Sequence, residues 1–321
     1  MLGEFIAISA VLTFVGSNVI FRKTENEVSP TFINFFRTAI GTLTFLLIVL
    51  FLNQLNLIFI IPWELWVLLI LSFVFGQVIG DTAYFTAQKE LGTTITLAIS
   101  MTFPLFTFIL SLILFNQAFK LNLIISLILI GTGIIIIGKS KKNSENEIPH
   151  SNHDFNEPIG VINKRRFIKS IGFCFTASIG WAIGAVMIEF ATLQIDQIIH
   201  AEELSSIIGN LIRFPFALII LGSMVLRENY SLKKKNSNFY KKKSGYTWMY
   251  LSVASIIGTS LGAYLYTESV HLTGANVVSL IASASPLFAL PLTYLVNKET
   301  ISRYGFIGVI LTISGVIIIL I

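Results

Sequence analysis

Long apolar runs alternate with short polar breaks along almost the whole chain. About 20 helical residues span roughly 30 Å of hydrocarbon, so each run of that length predicts a membrane-crossing helix. Ten are expected, at about 2–21, 30–52, 63–88, 93–115 and 121–138, then 168–188, 204–226, 246–270, 275–296 and 304–321. No stretch alternates with period two as a barrel strand does, so the expected fold is an all-α polytopic bundle. Residues 139–167 break the pattern with Ser, Asn, Glu, Pro and His in no periodic order. They read as a polar linker between two five-helix units, residues 1–138 and 168–321.

The two units are copies of one another. Sliding the chain 182 residues along itself places Gly76 on Gly258, Gly80 on Gly262, Tyr84 on Tyr266 and Gly92 on Gly274. Pro104-Leu105-Phe106 then falls on Pro286-Leu287-Phe288, and the register holds as far as Gly133 on Gly315. Glycine and proline are placed for backbone reasons, so chance matching among abundant Ile and Leu does not produce this register. Earlier helices repeat at smaller offsets, with Arg37 on Arg213 at 176 and Phe14 on Trp181 at 167. Five spans is an odd number, so the second copy must enter the membrane from the opposite face. That is an inverted-topology repeat, the arrangement behind many secondary transporters.

Composition and charge sharpen the picture. The chain is 54% hydrophobic and only 12% charged, with mean hydropathy +0.80, which takes it out of the soluble class. The single cysteine, Cys174, excludes an internal disulfide and a cysteine-based metal cluster. A net charge of +5 could suggest nucleic acid, but Lys and Arg lie in connecting loops and not on a folded face. Their distribution sets orientation instead. With the N-terminus outside, the inner loops hold Arg22, Lys23, Lys89, the linker cluster, Arg227, lysine triplets at 233–235 and 241–243, Lys298 and Arg303. The outer loops hold Lys120 alone, and the outer loop near 188–205 is acidic, with Glu189, Asp196, Glu202 and Glu203. Both termini are therefore expected outside a cell inner or plasma membrane. The first span has Glu4 where a signal peptide carries its basic residues, so it is expected to remain as a helix.

Ionisable groups inside hydrocarbon are costly and mark a pathway or a pair. Arg37, Asp81, Arg213 and Glu268 stand out, Arg37 and Arg213 being repeat mates while Asp81 falls on Ala263. One reading has an arginine gripping an anionic or zwitterionic substrate while a carboxylate takes a coupling proton. The other has intramembrane ion pairs bracing helices, or arginines reaching to the interface. Glu268 lies near a helix end, where a solvated side chain is expected, and Glu189 is expected to be solvated too. Asn34, Gln77, Tyr84, Trp181, Tyr266 and Asn276 complete the candidate cavity lining. Glycines four apart at Gly76/Gly80, Gly258/Gly262 and Gly180/Gly184 predict close helix packing. Pro104 and Pro286 predict kinks that free carbonyls near Ser100 and Ala282. His150 and His153 read as solvated linker residues, and no metal or cofactor motif is present.

The combined pattern Gly80-Asp81-x-x-Tyr84, Leu91-Gly92 and Pro104-Leu105-Phe106 resembles the EamA-type repeat of the drug/metabolite transporter superfamily. So does Gly262 to Tyr266, Thr273-Gly274-Ala275 and Pro286-Leu287-Phe288, followed by Lys298-Glu299-Thr300-Ile301-Ser302. The first copy departs from the last motif, with Asn116-Gln117-Ala118-Phe119-Lys120. The resemblance implies a ten-helix inverted-repeat carrier whose central cavity is lined by the first, third and fourth helices of each repeat. The expected function is secondary transport of a small polar metabolite, such as an amino acid, by alternating access in the export direction. A facilitator or exchanger that needs no ion is the nearest alternative. An intramembrane enzyme would need a clustered constellation, and the sequence offers no H-E-x-x-H, no Ser/His/Asp set and only His271 as a base near a span end. A membrane scaffold would not need Arg37 or Asp81 within hydrocarbon. The sequence leaves the oligomeric state open.

Overall fold

The computed structural model describes residues 2–115, 125, 128–133, 135–136, 164–200, 202–234, 244–298 and 302–320, and its regular elements are all helices. The first half comprises α1 Leu2–Arg22, α2 Pro30–Phe51, the short α3 Leu57–Ile60, α4 Trp63–Phe73, a π-helical segment Val74–Asp81, α5 Thr82–Leu91, α6 Thr93–Ser100 and α7 Phe103–Phe115. The second comprises α8 Lys164–Ile199, α9 Glu202–Lys234, α10 Gly245–Ser255, a π-helical segment Ile256–Leu261, α11 Gly262–Thr273, α12 Ala275–Ala282, α13 Ser285–Asn297 and α14 Arg303–Leu320. Eight described spans are long and apolar enough to cross a membrane, and Arg303–Gly315 adds a shorter apolar helix. Half of the expected fifth span falls outside the described residues, as do all of the linker residues 139–163 with His150 and His153.

Local chemistry sets the helix ends. Ser29 caps α2 by accepting from the Phe32 amide at 3.2 Å, with Pro30 in the first turn. Ser244 caps α10 the same way through the Thr247 amide. Gly92 and Gly274, at φ 84° and 82°, make the sharp turns between α5 and α6 and between α11 and α12, where a side chain would be strained. The prolines act more strongly than expected. Instead of kinking continuous spans, Pro104 and Pro286 sit in the first turns of α7 and α13, after full breaks at Met101–Thr102 and Ser283–Ala284. Neither carbonyl expected to be free is free, since Ser100 O accepts from Ser178 Oγ at 2.7 Å and Ala282 O from Ser285 Oγ at 2.5 Å. Helix α8 begins at Lys164, inside the expected linker, and continues to Ile199, so much of the expected acidic loop is helical.

The two halves interlock through their first helices. Thr13 and Ser17 of α1 lie against Gly262 and Gly258 of the second half. Their repeat counterparts on α8, Gly180 and Gly184, lie against Gly80 and Gly76 of the first half, so closely that a Cβ on either would stand 3.3 Å from the facing Cα. Each first helix thus packs on the third span of the other copy, using the small residues that let backbones meet. The last spans meet across the same pseudo-symmetry, Gly133 against Thr312 and Gly308 and Gly315 against Ile130. Large apolar side chains such as Leu2, Phe51, Phe59, Ile219 and Leu226 point outward, as a lipid-facing surface requires.

Polar contacts join the halves at the bundle end that carries the α1–α2 loop. Glu27 Oε2 accepts from the Ser244 amide at 2.9 Å and from the Thr247 hydroxyl, and Ser29 donates to Glu228. Asn297 donates to Val19 O at 3.0 Å, and within the first half Arg22 pairs with Glu25 while donating to Gln88 O and Lys89 O. The Thr247 hydroxyl and then the Ser244 amide hold the Glu27 carboxyl below the usual glutamate range. A lowered folded-state pKa gives stability that is complete above the unfolded value, about 4.3, and is lost as pH falls through the lower one. Glu27→Gln is therefore expected to lower the thermal midpoint in detergent at pH 7, with the gap to wild type closing as pH drops below about 4. A gap that stays constant with pH would mean that the Glu27 charge is not what holds the contact.

Candidate substrate-binding cavity

Between the interlocked halves lies a cavity of about 140 Å³. Its α1 lining runs from Ala7 to Phe14 and its α8 lining from Trp181 to Ile188, so it is displaced toward the end where α1 begins. The broken fourth spans contribute Met101, Phe103, Val278, Ala282 and Ser285, and the third spans Ser72, Phe73, Gly76, Gln77, Asp81, Gly258, Gly262, Ala263 and Tyr266. First, third and fourth spans line it, as the family resemblance implies. The second spans add one residue each, Arg37 and Arg213.

Six candidates meet here: Arg37, Gln77, Asp81, Trp181, Arg213 and Tyr266. Arg37 Nη2 lies 3.1 Å from Asp81 Oδ2, and both side chains are buried. The Trp181 indole N–H donates to Asp81 Oδ1 at 2.8 Å, so each carboxylate oxygen has a donor. Gln77 Oε1 is 3.4 Å from Arg37 Nη2, and Gln77 Nε2 donates to Thr38 Oγ1 at 2.7 Å. The π segment carries both Gln77 and Asp81 to this wall. Gln77 and Asp81 stand four residues apart on it and so share a face of the span.

Arg213 is built differently. It donates through Nε and Nη2 to Asn210 Oδ1 at 3.0 and 2.5 Å and through Nη2 to Thr267 Oγ1 at 2.7 Å. Its guanidinium carbon stands 4.7 Å from the centre of the Phe73 ring, a cation–π distance. These partners are neutral, and among the described residues no carboxylate lies within ion-pair range of it. Arg37 Nε and Arg213 Nη1 are both buried without a hydrogen-bond partner. Neither arginine reaches to an interface.

Four candidates stand outside the cavity wall. Tyr84 is fully buried against Phe14, Phe85 and Trp181. Asn34 donates to Gln77 O and Thr82 Oγ1, holding the π segment. Asn276 lies half-buried near the start of α12. Glu268, expected to be solvated, is 8% exposed, on a helix that packs against α1 and α8. Glu189 is also no free surface acid: its Oε2 accepts from the Ala275 amide at 2.9 Å and so caps α12. Asn210 and Thr267, which fix Arg213, were not among the sequence candidates. A signal existed, since Asn210 falls on Asn34 at the same offset of 176 that pairs the arginines, repeating Asn-x-x-Arg.

Comparisons with known proteins agree with this architecture. An uncharacterized transporter of Archaeoglobus fulgidus is 23% identical over 320 residues, covering 100% of this chain and 98% of that protein. Uncharacterized transporter YetK of Bacillus subtilis is 22% identical over 317 residues, covering 99% and 86%. A solved crystal structure superposes with a TM-score of 0.61 at 14% identity, covering 99% of this chain and 96% of that one, which shows a shared fold. The model of the EamA-like transporter family matches residues 1–139 and 168–321. The chain belongs to the EamA-like transporter family and is a multi-pass membrane transporter.

Proposed function

We propose that this transporter is a secondary carrier that exports a small polar metabolite, an amino acid or a related compound, by alternating access. The observation that carries the reading is the cavity between the two copies, lined by the repeat-mate arginines Arg37 and Arg213. It lies toward one end of the bundle, while hydrogen bonds between the copies close the other. An inverted repeat can exchange these two conditions by rocking one copy against the other. In this reading ten helices cross the membrane with both termini outside. Alkaline phosphatase fused after Ile321 should then be active, and an inactive fusion would reverse the orientation.

A second reading, an exchanger or facilitator that needs no ion, is favoured by Asp81. Each of its oxygens already accepts from Arg37 or Trp181, which disfavours it as a proton carrier. Proteoliposomes test both readings together. Vesicles preloaded with unlabelled amino acids, organic acids and sugars should take up labelled solute of one chemical class by counterflow. Flux that rises with an imposed pH gradient supports coupling, and flux indifferent to it supports the exchanger. No counterflow with any class would overturn the carrier reading.

A further inference from the structure

We infer that the solute is a small organic monoanion whose carboxylate is held by Arg213, with a short apolar body against the α1 and α12 wall; this rests on the carrier reading and narrows its solute to a relative of the amino acids that lacks the ammonium group. The argument begins where the two copies differ. Arg37 has Asp81, but the position equivalent to Asp81 in the second copy is Ala263, so Arg213 has no matching acid. The sequence repeat thus keeps the cation and drops its counter-charge. The remaining partners of Arg213, the Asn210 and Thr267 oxygens and the Phe73 ring, orient the guanidinium without neutralising it.

An unpaired buried guanidinium is costly, and hydrogen-bonded opposite charge offsets that cost. Arg213 is 2% exposed, lines the cavity and leaves Nη1 without a hydrogen-bond partner. The planar fork of arginine suits a carboxylate. The cavity lining holds two guanidinium groups and one carboxylate, and that carboxylate is paired with Arg37. A zwitterion would place its ammonium group beside Asp81, whose charge already balances Arg37.

Size and polarity narrow the class further. Ala7, Val11, Ile188 and Val278 present apolar surface, suited to a short aliphatic chain. The volume, about 140 Å³, is close to that of engineered protein cavities that hold a benzene-sized ligand.

The probes are isovalerate, its uncharged isostere isovaleramide, and leucine. With purified full-length protein in detergent, isovalerate is expected to raise the thermal midpoint while isovaleramide does not. Arg213→Gln should weaken the isovalerate response by about tenfold or more, as expected for a lost charged hydrogen bond. If that variant does not fold, Arg213→Lys keeps the charge without the fork and should retain the preference for acid over amide at lower affinity. Equal stabilisation by acid and amide would overturn anion recognition, and so would an isovalerate response unchanged in both variants. Leucine stabilising more strongly than isovalerate would replace the monoanion with a zwitterion. No midpoint shift with any probe overturns the assignment. Isovalerate binding without counterflow of any solute would leave the site standing and remove the carrier reading, so the two fail separately.

Discussion

Asp81→Asn is expected to destabilise the folded protein by about 3–5 kcal/mol, because it leaves the buried Arg37 charge without its counter-ion. The geometry makes this one of the largest single-residue effects in the molecule. Arg37 and Asp81 are 3.1 Å apart with both side chains buried, and the Trp181 indole fixes the other carboxylate oxygen at 2.8 Å. Removing both charges together should cost far less, since the expense lies in the lone ion and not in the absence of the pair. The double variant Arg37→Gln/Asp81→Asn is therefore expected to recover most of the lost stability, measured as unfolding free energy in detergent. Simple addition of the two single effects would mean that the two groups act independently. Transport then separates the brace from a solute contact. A double variant that is stable yet inactive places Arg37 or Asp81 in contact with solute, and one that is stable and active limits the pair to holding helices.

Gly180→Ala should also be severe, for a steric reason. A Cβ at Gly180 would lie 2.4 Å from Phe75 O and 3.3 Å from the Gly80 Cα. Those are backbone atoms, so relief requires α8 to move away from the π segment as a unit. Overpacking of this kind costs about 1–3 kcal/mol, and a larger residue such as valine should prevent folding of much of the population. Gly172 on the same helix provides the control, because a methyl group there would meet no atom within 4 Å. Alanine at that position should be neutral or stabilising by about 0.5–1 kcal/mol, because it removes a helix-interior glycine. Thermal midpoints of the two alanine variants in detergent would compare one added methyl at a packed and an open position. Equal midpoints would show that the contact between α8 and the π segment is not what these glycines serve.

Much of this architecture could be read before any coordinates, because it rests on features with strong local signatures. Apolar runs mark spans, and Gly92 and Gly274 mark turns that need positive φ. The repeat mates Arg37 and Arg213 were visible as costly charges within apolar runs, and they do line one cavity. What sequence left hidden depends on contacts between distant segments. Glu189 looks like a loop acid until α12 is seen to begin beside it. Glu268 looks solvated until the helices packed on α11 are seen. Tyr84 and Asn34 have the chemistry of site residues, and only packing reveals that one is surrounded by rings and the other supports a backbone. The π segments leave no local trace, since nothing in Val74–Asp81 distinguishes a wide turn from a regular one.

Those wide turns begin at Val74 and Ile256, the same position in the two copies, so both third spans carry the distortion at one register. The first runs on to Asp81, while the second ends at Leu261, two residues short of Ala263, the position equivalent to Asp81. Only the copy whose wide turns reach that position has an acid there, and it meets Arg37 at 3.1 Å. One backbone plan thus serves both copies, and each presents a different charge to the cavity between them.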